Sequence, residues 1–139
     1  MFGVLERGGE VRARPIASLG LALKEVRDNV KDGATVMTDN WPAYRPLAYR
    51  FDHHVVHHSK AEYVCDGYIH INSLEGYGSQ LKRQIYGIHH WVSAKHLHRY
   101  IDESVFRYNR REVGKAPRFA EFLNRTDGRL TYNVLIGKA

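Results

Sequence analysis

The chain has 139 residues, 43% of them hydrophobic, enough for one domain with a real core and too apolar for a disordered tail, and its lone cysteine, Cys65, excludes an internal disulfide or a cysteine-based zinc site. No run approaches the ~18 consecutive apolar residues of a spanning helix, and the N-terminus lacks the pattern of a secretory signal, so the expectation is a cytoplasmic protein with no membrane partner. Lys plus Arg number 21 against 15 Asp plus Glu, and the surplus of +6 falls between Ser79 and Arg125, where ten basic residues face four acidic ones.

Phe2 to Arg7 and Glu10 to Ile16 flank Gly8-Gly9, which predicts two antiparallel strands joined by a two-residue turn. From Ser18 the apolar residues Leu19, Leu23, Val26 and Val30 recur at helical spacing, and Lys31-Asp32-Gly33 supplies a stop. Ala34 to Thr38 reads as a buried strand that delivers Asp39 to its end. Trp41-Pro42 to Tyr49 reads as a short helix and His53 to His58, around Val55 and Val56, as a further strand. Two helices follow. Leu74, Tyr77, Leu81 and Ile85 form the apolar stripe of the first; Leu97, Tyr100, Ile101, Val105 and Tyr108 form that of the second, with Ser93 as its expected N-cap. Residues 114–139 carry Phe119, Phe122 and Leu123 on a short helical pattern and then an apolar tail of uncertain structure, read as a C-terminal extension of a single α/β domain.

The basic surplus therefore belongs to these helices, where Lys82, Arg83, Arg99, Arg107, Arg110 and Arg111 are candidates for contact with a polyanion such as DNA, against the simpler reading of a solvated surface. On the first of them Glu75 and Lys82 stand seven positions apart, within about 20° of one face, with Gly78 and Ser79 between. A carboxylate, two small residues and a lysine leave room for a phosphate backbone, although an ordinary exposed charge pair fits the same spacing. Asp39 is separated from Glu75 by 35 residues, which is weak evidence of a site taken alone. Phosphodiester chemistry asks for such groups, because two Mg²⁺ ions about 4 Å apart neutralise the phosphorus charge and activate the nucleophile. Two ions normally need three or more carboxylates, and the pattern offers two.

Four histidines, His53, His54, His57 and His58, invite a zinc reading, but strand alternation sends neighbours to opposite faces, so surface or partly buried histidines are the simpler expectation. Trp41, directly after Asp39-Asn40, reads either as a stacking platform for a displaced base or as core. Tyr86, His89, His90 and Trp91 make an aromatic, basic connection that tracks DNA or closes the helix pair.

The ordered blocks TVMTDNWPAY, HHVVHHSKAEYV and HINSLEGYGSQLKRQIYGIHHWVSAKHLHRYIDESVFRYNRR resemble the C-terminal part of bacterial insertion-sequence transposases of the ISXO type, in the DDE superfamily, over roughly residues 2–123. The resemblance implies an RNase H-like mixed sheet with flanking helices, metal-dependent DNA cleavage and strand transfer at element ends and target DNA, and two Mg²⁺ ions. It assigns metal-ligand roles to Asp39 and Glu75, a basic role to Lys82 and supporting roles to His58 and His70, while Asn72, one turn before Glu75, and Trp41 are read as supporting residues from their positions. In such transposases the first catalytic Asp lies on a central strand upstream of a hairpin like Phe2 to Ile16. No matching residue exists here, since Glu6 and Glu10 stand elsewhere. The expectation is an N-terminally truncated transposase domain, inactive alone, with a compromised sheet, a homo-oligomer that buries its edge, or a need for the missing segment in trans. The competing readings are a catalytically silent DNA-binding or regulatory descendant and a histidine-based metal protein.

Overall fold

Gly8 adopts φ 71° at the third position of the Glu6–Gly9 turn, which Gly9 closes by donating its N–H to the Glu6 carbonyl (2.9 Å). Glu6 N–H then bonds the Glu10 carbonyl (3.0 Å), so the connection is a three-residue loop rather than the two-residue turn expected from Gly8-Gly9. The strands it joins are β1 (Phe2–Leu5) and β2 (Val11–Arg14), antiparallel and in register from Phe2 opposite Arg14 to Leu5 opposite Val11. The computed structural model describes residues 1–56, 71–125 and 131–133, so His57, His58, Cys65 and His70 lie outside the described residues. Two compact units result, Met1–Asn109 and Arg110–Ala139.

In the first unit, helix α1 (Leu19–Asn29) starts after Ser18 in extended backbone and ends before Gly33, whose φ of 75° only glycine takes without strain. Its Val26 joins Leu47 and Phe51 in the core, with Leu23 and Val30 packed alongside. Phe2 and Val4 of β1 and Val36 of β3 (Thr35–Asp39) pack on that same cluster. Polar contacts fasten the hairpin to α1, since Arg14 pairs with Glu25 and Arg12 bonds the Asn29 side chain (2.8 Å). The expected strand and short helix are both present. Pro42–Tyr49 forms a 3-10 helix with Pro46, which has no N–H to donate, inside it. It feeds β4 (Asp52–Val56), which pairs parallel with β3, Thr35 opposite Asp52 through Asp39 opposite Val56.

The two pairs do not share a ladder. Among the described residues β1 bonds only β2 and β3 bonds only β4, leaving two two-stranded sheets on one core rather than one mixed sheet. Parallel pairs normally lie inside larger sheets, covered on both sides, so a two-stranded parallel ladder is a piece of sheet rather than a stable whole.

Helix α2 (Asn72–Gln84) buries Tyr77 and Leu81, two of the four stripe residues expected to face inward. Leu74 lies against β1, where a Cβ on Gly3 would meet its Cδ1 at 3.4 Å, an ordinary van der Waals contact. The helix continues into one π-turn, Ile85–His89, and His90 follows at φ 59°, a strained value for a non-glycine residue. Helix α3 (Leu97–Asn109) buries Ile101 and Ser104, and its Tyr108 meets Tyr77 edge-on at 5.4 Å. Ser93 does not cap α3, because its carbonyl accepts the His96 N–H (3.0 Å) in a separate turn and the helix begins only at Leu97. Asn109, at the end of α3, accepts the Val11 N–H (2.8 Å) and donates to the Val11 carbonyl (3.0 Å), standing in for a strand at the outer edge of β2.

The second unit contains α4 (Lys115–Asn124), with Phe119, Phe122 and Leu123 exposed on it. Glu121 is bonded by Arg110 (2.9 Å) and Arg125 (2.6 Å), and these bonds, Arg110's foremost, hold its carboxyl below the ordinary glutamate value. Among the described residues no helix is long and apolar enough to cross a membrane.

Candidate carboxylate pair and nucleic-acid interface

Asp39 stands at the C-terminal end of β3, exposed, where the chain leaves the parallel pair. Ends of parallel strands are where α/β proteins expose reacting groups, because the following loop, freed from the ladder, leaves a crevice. Its Oδ1 accepts the Trp41 N–H (3.2 Å), which turns the chain into the 3-10 helix. Tyr44, in that helix, has its phenol pKa raised, first by burial and then by the Asp39 charge.

Glu75 occupies the first turn of α2, exposed, and its N–H bonds the Ile71 carbonyl (3.1 Å). Unbonded N–H groups at a helix start favour a carboxylate there. Asn72 is the first residue of the helix, exposed one turn before Glu75. Ser79 and Lys82 are exposed along α2, and among the described residues neither Gly76 nor Gly78 has a heavy atom within 4 Å of where a Cβ would sit.

The two carboxylates are hard oxygen donors of the kind Mg²⁺ takes. Among the described residues, however, no three His, Cys, Asp or Glu side chains converge on one point, so these residues do not by themselves make a two-ion site. The histidines of β4 are occupied separately. His53 Nε2 lies 2.9 Å from Thr38 Oγ1, and His54 Nε2 lies 3.1 Å from Asp52 Oδ2, on opposite faces as strand alternation requires.

The six basic candidates divide into two groups. Lys82 and Arg83, in the last turn of α2, and Arg99 on α3 are exposed and pair with no carboxylate among the described residues. Arg107 pairs with Glu103 (2.8 Å), Arg110 with Glu121 (2.9 Å) and Arg111 with Glu112 (3.4 Å). Half of the expected phosphate contacts are thus neutralised within the chain, a feature that charge counting cannot show. The connection after α2 leaves Tyr86 and Trp91 exposed, while His89 meets the Tyr100 ring at 4.5 Å and ties the π-turn to α3.

Sequence reading missed Arg45 and His53 as neighbours of Trp41. The three, with Asn40, Pro42 and Val55, line a cavity of about 180 Å³ beside the end of β3. Arg45 was within reach, four residues after Trp41, but His53 arrives only through the parallel register that sets it opposite Val36.

The family model for the ISXO2-like transposase domain matches residues 1–109, which are the residues of the first compact unit. The chain belongs to this transposase family. No curated protein and no solved structure matches it. Membership supports a transposase-related function in general, with DNA as the general partner.

Proposed function

We propose that the chain contributes the Asp39- and Glu75-bearing part of a DNA transposase catalytic domain of RNase H-like fold. In the assembled enzyme Asp39 and Glu75 ligate Mg²⁺, a companion segment supplies the further carboxylate, and Lys82, Arg83 and Arg99 hold the phosphate backbone. Bound Mg²⁺ would stabilise charge at the phosphorus and activate the attacking hydroxyl. The observation that carries this reading is the family match over residues 1–109, combined with an acidic residue at the end of a parallel strand and another in the first turn of a helix. Among the described residues β1 and β3 lie in separate sheets, and a companion strand that bonded both would join them, which supports this reading. His58, His70 and Asn72 keep the supporting roles expected from the sequence in this proposal.

The test is cleavage of end-labelled DNA in Mg²⁺. The chain alone is expected to bind DNA and leave it intact, and co-expression with an acidic strand-forming segment is expected to restore cleavage that Asp39→Ala or Glu75→Ala abolishes. Nicking by the purified chain alone would refute the need for a companion. A second reading, a catalytically silent DNA-binding descendant, is favoured by the lack of a converging trio of ligands among the described residues. It predicts that Asp39→Ala and Glu75→Ala leave DNA affinity intact and that no companion segment restores cleavage.

A further inference from the structure

We propose that the cavity beside the end of β3 is a subsite for one unstacked DNA nucleotide, with its base on the Trp41 indole and its phosphate on Arg45. The proposal rests on the DNA reading above and adds to it the form of DNA that is bound.

Four observations meet at this place. The cavity, about 180 Å³, falls below the roughly 300–1,000 Å³ of pockets for drug-sized ligands, so it suits a group the size of a single base. Trp41 is 52% exposed, so its ring is accessible to a ligand from solvent. Its ring packs edge-on with Tyr44 at 5.7 Å and its backbone N–H is bonded by Asp39, which fixes the chain where the ring lines the cavity. Arg45, on the same cavity, pairs with no carboxylate among the described residues and supplies the charge a phosphate needs. Pro42 and Val55 line it with apolar surface, and His53, fixed by Thr38, adds a polar edge able to meet a base.

A pocket for phosphate alone would not need an aromatic face, and one for an apolar side chain would not need an unpaired arginine. A base inside a duplex is stacked on both sides and cannot reach such a ring, so the subsite selects a nucleotide that is single-stranded or extruded. Its place next to Asp39 sets that nucleotide beside the carboxylate assigned to the reacting phosphate.

Fluorescence decides the matter, because the chain has two tryptophans and Trp91 is exposed, so a Trp91→Phe chain reports from Trp41 alone. The probes are one oligonucleotide, single-stranded, and the blunt duplex of the same sequence, with binding followed in parallel by mobility shift. Both are expected to bind, but only the single strand should quench Trp41 emission. In the native chain, Trp41→Ala and Arg45→Gln should each weaken single-strand affinity about ten-fold, with Trp41→Phe preserving it and duplex affinity changing less than about two-fold. Equal quenching by both probes, or binding of the single strand without quenching, would overturn the subsite while leaving the DNA reading in place. Failure of the single strand alone to bind would overturn the subsite, and failure of both probes to bind would overturn the subsite and the DNA reading together. Circular dichroism of each variant confirms folding, which these exposed substitutions should not disturb.

Discussion

Asn109 does for β2 what a neighbouring strand would do at one position. Val11 is fully buried, and the Asn109 carboxamide satisfies both its N–H and its carbonyl. Removing a partner from a buried backbone group leaves the desolvation cost unmet. Asn109→Ala should therefore cost about 1–3 kcal/mol, read as a lower urea midpoint with unchanged slope. His53 makes a pH prediction. Burial foremost, and then the nearby His54, lowers its pKa in the folded protein, so the unfolded chain binds more protons there. The contribution is present above the ordinary histidine value and is lost as pH falls from that value toward the lower folded one. Denaturation at pH 7.5 and pH 5.5 should show the folded state weakening on acidification, and His53→Gln should reduce that difference. Neither role is legible in the sequence, because Asn109 and Val11 are 98 positions apart and His53, visible there only as one of a histidine cluster, acquires its environment from the 3-10 helix and β3.

At the scale of elements, helical periodicity was the dependable signal. The stripes of α1, α2 and α3 turned inward at Val26, at Tyr77 and Leu81, and at Ile101, because an amphipathic helix has one face that lowers its free energy by burial. Boundaries were harder, as Ser93 shows, since capping depends on the backbone path into the helix and not on residue type alone. The outer face of α2 gives a prediction that separates folding from function. Gly78 sits inside a helix with open space beside it, so Gly78→Ala should stabilise the free protein by about 0.5–1 kcal/mol. If a phosphate backbone uses that space, the same variant should bind DNA more weakly while melting at a higher temperature. A more stable variant with unchanged DNA affinity would place the contact elsewhere.

For the whole molecule, charge arithmetic and charge availability differ. The formal excess is +6, but Arg107, Arg110 and Arg111 already have carboxylate partners, and exposed pairs of this kind contribute little to stability while reducing the field outside. If Lys82, Arg83 and Arg99 make the phosphate contacts, log affinity for duplex DNA should fall with log salt at a slope near −3. Substituting any one of them by glutamine should reduce that slope by about one. An unchanged slope would place the interface on other cations. The divided sheet belongs to this scale too. Edges of β1 and β3 without partners among the described residues are open to pairing with another chain, which connects strand order to assembly.

The sequence by itself determined the elements, the family, and the placing of Asp39 at a strand end and Glu75 on a helix, because periodicity, turn residues and motif spacing are local properties of the chain. Tertiary structure alone decided that the strands among the described residues form two ladders rather than one, which arginines are already paired, and that Trp41, Arg45 and His53 share a cavity. These depend on distances between residues far apart in the chain, which are fixed only when several elements bury their apolar faces against one core.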